Sequence, residues 1–255
     1  MLKSVALFIC VVLLVAGGCA AKNEQQGTTD LDYATGYFYE LSESNVICVS
    51  YPILLADGAD RSNEMISDFV REEINRRCFQ VCELTEAKEL PADFPSEKMY
   101  ETNYSNYALR VDYRVTICTN DVLSIVFEGM INGRTAAHPI QLLFTLNMDP
   151  KNGHIIHYDD RYVIDDALYA TFAEYAQKEV AKRAGGEWPE SLSNFSEKIC
   201  SKEKFLDGIV SSDEWYVFFT AEGVGISYPV AHALGDHWEV ILPYVELKAI
   251  SIHEE

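Results

Sequence analysis

The chain holds six histidines among 40 acidic and 20 basic residues, and these supply most of the side chains with chemistry to offer. His138, beside Pro139 on a turn between two strand-like runs, changes charge near neutral pH and suits acid–base work or ligand binding. No nucleophile or carboxylate stands at a recognisable spacing from it, so capping the backbone of that turn is the favoured role. His154 and His157 are three apart on a short strand, which points them to opposite faces and away from one shared ion. Asp159-Asp160 and Asp165-Asp166 lack the alternating order of an EF-hand loop and read as solvated acids near a helix start. No Gly-x-Ser-x-Gly elbow, phosphate loop or His-Glu-x-x-His is present. The expectation is no catalytic set, no metal and no cofactor. Binding is the better prospect: Tyr100, Glu101 and Tyr104, with Glu97, combine aromatic anchors and acids within a polar stretch.

Cys19 offers a different chemistry. Lys3 precedes an apolar run from Val5 to Ala16, too short to span a bilayer comfortably and ending in small residues, as a signal peptide over residues 1–18 does. Val15-Ala16-Gly17-Gly18-Cys19 resembles the lipobox of bacterial lipoproteins, with Ala16 where that pattern prefers Leu. The resemblance implies that Cys19 is acylated and anchors the chain, lipid first, to the outward side of a bacterial cell membrane or outer membrane. An ordinary secreted protein is the alternative. Residues 19–44 are read as the acylated cysteine and a tether, rich in Gln, Thr and Asn where it begins.

The formal net charge of −20 repels nucleic acid and anionic headgroups and suits cationic partners. Cys48 and Cys118 lie in apolar, strand-like surroundings and read as small core residues, with a disulfide as the alternative. Cys78 and Cys82, four apart, share one face if helical.

The elements that must position these groups follow from periodicity. Tyr107 to Ile117 alternates, with the odd positions apolar, then come Val122 to Ile131 and Ile140 to Leu146, together an antiparallel meander. Asn45 to Leu54 reads as an earlier strand, followed by a helix capped near Ser62 with Ile66, Phe69, Val70 and Ile74 inward. A second helix starts at Asp165-Asp166 and ends in Lys182-Arg183 before Gly185-Gly186, and three more strands lie at Trp215–Thr220, Val224–Tyr228 and Trp238–Leu242. The fold class predicted is α+β: two small antiparallel-sheet-plus-helix halves, residues 45–135 and 136–250, packed as one compact unit.

Across those halves a family resemblance emerges. In the first it rests on Tyr51-Pro52, Asn63 at the helix start, Tyr113 and Ser124 to Phe127. In the second it rests on Ala136-Ala137-His138-Pro139, Asn147, Asp149, Gly153, Gly223, Tyr228 to Ala231, Gly235 and Ile241-Leu242-Pro243-Tyr244. The pattern resembles the paired extracellular domains of unknown function found beside PdaC-type polysaccharide deacetylases and in lysozyme-sensing anti-sigma factors. It implies a non-catalytic binding or sensing module whose partner is a cationic protein such as lysozyme, or a cell-wall glycan. The competing expectation is an envelope enzyme acting on peptidoglycan or another glycan, which would need His138, Asp149 and Asp160 to converge.

Overall fold

Aromatic and β-branched residues crowd the stretch from Tyr33 to Leu54, and the computed structural model turns it into the first hairpin of a six-stranded sheet. The structure describes residues 31–43, 45–77, 82–95, 107–133, 139–183, 200–211, 214–230 and 235–250. Strand β1 (Tyr33–Leu41) lies where the sequence suggests tether, and pairs antiparallel with β2 (Asn45–Leu54) on one side and the short β3 (Thr85–Ala87) on the other. Strand β2 then pairs in parallel with β4 (Tyr107–Cys118), a geometry that needs a long crossover, and helix α1 (Asp60–Arg77) lies within it. Strands β5 (Leu123–Gly133) and β6 (Ile140–Met148) complete the predicted meander, giving the order β3-β1-β2-β4-β5-β6. The boundary expected at 135/136 therefore falls between two neighbouring strands of one sheet.

Odd positions of β4 face the core as far as Val115: Leu109, Val111 and Val115 are buried. A bulge between Val115 and Ile117 then reverses the parity. Cys118 joins the core under α1, and Ile117 turns toward the second core. Helix α1 begins at Asp60, and Ser62 is not its cap. That side chain is fully buried and donates to the Pro150 carbonyl at 2.6 Å, tying the first turn of α1 to the loop after β6. Asn63 performs a backbone-like service, accepting from Leu54 N at 2.8 Å and donating to Leu54 O at 3.0 Å.

The second layer is a three-stranded antiparallel sheet of β7 (Tyr216–Phe219), β8 (Gly223–Pro229) and β9 (His237–Pro243). Helices α2 (Asp166–Arg183) and α3 (Lys202–Ser211) pack on it around Phe172, Phe205, Trp215 and Tyr228, with Phe172 and Phe205 stacked at 4.5 Å between centroids. Asp165, read from the sequence only as a solvated acid near the helix start, caps α2, its Oδ1 accepting from Ala167 N and Leu168 N, both at 3.0 Å. A Cβ on Gly225 would come 2.1 Å from the Phe218 ring, so only glycine lets that ring lie across β8.

A buried polar row joins the layers. Asn147 of β6 donates to Val217 O at 2.8 Å and accepts from Ser124 of β5 at 2.7 Å. Ser124 Oγ accepts from Phe219 N at 2.9 Å, and Thr116 of β4 donates to Phe219 O at 2.6 Å. Strand β7 is an edge of its sheet, and these side chains give its outward backbone groups the partners a neighbouring strand would.

Candidate functional site

Where the two layers meet, charged groups collect in two places. Arg114 of β4 is held by Glu128 of β5 at 2.9 Å and by Glu239 of β9 in a shorter contact, and its guanidinium lies 4.9 Å from the Phe218 ring centroid. Burial pushes the Glu239 carboxyl above its ordinary value. Arg114 pulls the other way and Glu128 adds to the rise. The upward direction holds because lost hydration of a half-buried carboxylate outweighs one shared guanidinium. Beyond Glu239 opens a groove of about 320 Å³ between α2 and β9, lined by Tyr175, Lys178, Lys182, Val240 and Ile241.

The second cluster centres on His237, the first residue of β9. Its ring centroid stands 5.6 Å from that of Tyr216, and its Nδ1 is buried without a hydrogen-bond partner among the described residues. Arg77, at the end of α1, donates to the Tyr216 hydroxyl at 3.2 Å and is gripped by Glu73. Asp236, at φ 67°, accepts from Gln141 N of β6 at 3.3 Å. Burial holds the imidazole below its ordinary value, with Asp236 and Glu214 opposing and Arg77 reinforcing.

The outer face of α1 has a different character. Asp60, Glu64, Asp68 and Glu72 recur every fourth residue and are all exposed, on the side opposite the buried Ser62, Ile66, Val70 and Ile74. None of the four is in an ion pair among the described residues, whereas Arg76 and Arg77 are both drawn to Glu73.

Cys19, Tyr100, Glu101, Tyr104 and His138, together with Glu97 and Cys78, lie outside the described residues. The acids and histidines near 149–166 are placed: Asp149, Asp160 and Asp165 serve their local backbone, and Asp166 pairs with Lys202 of α3. Asp149 accepts from Lys151 N and Asn152 Nδ2, both at 2.8 Å, closing the turn at Gly153 (φ 73°). Asp160 accepts from His157 N at 2.7 Å over a 3-10 turn at Tyr158–Asp160. The strand expected at His154–Tyr158 is reduced to a single bridge, Met148 to Ile155, and both histidines are exposed. Among the described residues no three His, Cys, Asp or Glu side chains gather as a metal ion requires. No disulfide joins the described cysteines. Burial raises the Cys48 and Cys200 thiols to about 12, which suppresses their thiolate chemistry. Cys82 lies past the end of α1, its N–H donating to Asn75 Oδ1 at 2.9 Å.

No family model and no curated protein matches the chain. Solved structures do. A DUF3298 family protein from Pseudomonas aeruginosa PAO1 superposes with a TM-score of 0.52 at 10% identity, covering 89% of this chain and 95% of that one. This chain is similar in fold to a DUF3298 family protein. A member from Bacteroides fragilis NCTC 9343 has 14% identity and a TM-score of 0.47 over 89% of this chain and 96% of that one. The DUF3298-like fold places Asn147, quoted above only for its family resemblance, at the centre of the row that joins the layers.

Arg114, Glu239 and His237 had no signal in the sequence. Arg114 reads there only as a wet-face residue of a strand, and its partner Glu239 stands 125 positions away. The acidic repeat on α1 could have been found, since a four-residue spacing of acids is visible once the helix is placed.

Proposed function

We propose that this chain is a bacterial cell-envelope lipoprotein, anchored through acylated Cys19 and facing outward, whose folded part is a non-catalytic binding or sensing module. Its partner is a cationic protein, of the muramidase kind, or a cationic peptide. The observation that carries this reading is the distribution of charge: in a chain of net charge −20, four acids in register along the exposed side of α1 form no ion pair among the described residues. A negative face of this kind speeds encounter with a cationic protein and makes affinity fall with salt, while aromatic anchors set specificity. Tyr100 and Tyr104, with Glu97 and Glu101, are the anchors proposed. The resemblance to the lysozyme-sensing ectodomains supports the same partner class. A cell-wall glycan, stacked on those tyrosines, is the other ligand that the resemblance suggests.

The test is binding of the chain to lysozyme and to bacterial muramidases at low and at physiological salt. Tyr104→Ala, Glu101→Lys and the pair Asp68→Lys with Glu72→Lys serve as variants. Binding that persists at physiological salt and weakens in the variants supports the reading. Attraction that vanishes there and ignores all of them is unspecific, and the reading then fails. For the anchor, Cys19→Ser is expected to release the chain from membranes, and unchanged retention would place the attachment elsewhere.

A further inference from the structure

His237 stands where four elements of both layers converge, and one of its ring nitrogens has no partner among the described residues. From α1 it faces Arg77, which is itself bound to Glu73. From β7 it faces Tyr216, with Glu214 just before that strand. On its own side is Asp236, whose carboxylate reaches Gln141 on β6. In the neutral ring the buried Nδ1 needs no hydrogen if the proton sits on Nε2. Protonation would force a hydrogen onto Nδ1 with no acceptor and set a second cation beside Arg77. We propose that His237 is an acid-sensitive latch on this junction: neutral, it lets β7 and β9 close against α1 and β6; protonated, it loosens that corner while the six-stranded sheet stays intact.

The geometry confines the effect. Tyr216, Arg77 and the Asp236–Gln141 bond are the contacts that cross the junction beside the ring, whereas the Thr116, Ser124 and Asn147 row grips β7 farther along. Acid should therefore free the starts of β7 and β9 first. The sign follows from the lowered imidazole, since the unfolded chain takes its proton near the ordinary 6.5 and the folded chain only at lower pH. Stability from the neutral ring is complete above about 6.5 and falls as pH drops below it, by up to tenfold in the folding equilibrium per pH unit, until the folded-state value is passed.

The experiment follows His237 in the full chain by NMR titration and measures amide exchange from pH 7.5 to 5.0, corrected for intrinsic rates. An apparent pKa below 6.5 is expected, with protection at Tyr216 and Trp238 falling several-fold in acid and protection in β2 and β4 unchanged. His237→Gln should abolish that local step, and Arg77→Gln should move the titration upward. If His237→Gln folds poorly, the titration and the Arg77→Gln shift decide alone. An apparent pKa at or above 6.5, a step retained in His237→Gln, or no movement in Arg77→Gln would overturn the proposal.

Discussion

Helices α1 and α2 are the same length, 18 residues, and each lies on one sheet through a buried stripe spaced by four. In α1 the stripe is Ser62, Ile66, Val70 and Ile74, and in α2 it is Leu168, Phe172, Ala176 and Val180. Two residues out of phase, each presents a second stripe to solvent, and there the likeness ends. The outer stripe of α2 runs Asp166, Ala170, Glu174, Lys178 and Lys182, with Lys178 bonded to Glu174 at 2.6 Å and acids first, bases last, as the helix dipole favours. That of α1 runs Asp60, Glu64, Asp68, Glu72 and Arg76, so three successive pairs repel before Arg76 closes the stripe, and Glu72 sits in the half where the dipole disfavours it. Packing alone asks the same of both helices. The run of repelling acids on α1 serves neither packing nor side-chain pairing along the helix, which makes it the better candidate for a surface kept for another molecule.

The comparison breaks most visibly if the two layers are separate units. Val111→Asp beneath α1 buries an unpaired charge and should cost several kcal/mol, and Phe172→Ala beneath α2 about 3–5 kcal/mol. Because side chains of β4, β5 and β6 hold β7, either variant should unfold in a single cooperative transition by denaturant. Two resolved transitions would show that the layers fold apart. Asn147→Leu sharpens this. It leaves Val217 O and the Ser124 hydroxyl without their buried partners and should cost about 1–3 kcal/mol, read by the same denaturation. A loss no greater than that of a surface substitution would remove the row as the link between layers.

The legibility of the chain divides along the same line. Long periodic stretches could be read: the meander, helices α1 and α2, and the three strands of the small sheet, but not the short helix α3. The parallel pairing of β2 with β4 could not, because nothing in either strand records which neighbour it takes across a long crossover. Tyr33–Leu41 shows no clean alternation, with Tyr37-Phe38-Tyr39 in one run, and the polar residues before it read as a tether. Site residues were harder still. His138, Tyr100, Glu101 and Tyr104 were chosen for residue type in exposed stretches, and they lie outside the described residues. Arg114, Glu239 and His237 acquire their character from partners brought together by the fold, and a strand pattern carries no trace of such partners.

Glu239 and the acids of α1 form a contrast within the same charge type. The Glu239 carboxyl is raised by burial, so the fold favours its neutral form. That contribution is complete below the unfolded-state value near 4.5 and is lost as pH rises through the raised one. Glu239→Gln should therefore flatten this part of the stability–pH curve and leave neutral-pH stability within about 1 kcal/mol, because an amide oxygen still accepts from Arg114. Arg114→Met should cost more than Glu239→Gln, since it leaves Glu239 half-buried without its cation. A larger loss from Glu239→Gln than from Arg114→Met would mean that the ion pair, and not the cost of burying it, dominates at this corner.

The smallest expected effect bears most directly on what α1 is for. Replacing Asp68 alone by Lys converts its repulsive four-residue pairs with Glu64 and Glu72 into attractive ones and leaves Glu72 four residues before Arg76. Denaturation at low salt should then show a gain of about 0.5–1 kcal/mol, shrinking as salt rises. The reverse change on α2, Lys178→Glu with Lys182→Glu, should lower stability, because it breaks the Glu174 contact and lines the outer stripe with like charge. If α1 gains stability from the exchange while losing a cationic partner, its native acids are maintained against the interest of the fold, and binding is the reason. If the exchange brings no gain at low salt, the four acids do not repel appreciably, the two helices are electrostatically equivalent, and the stripe ceases to distinguish one face of the molecule from another.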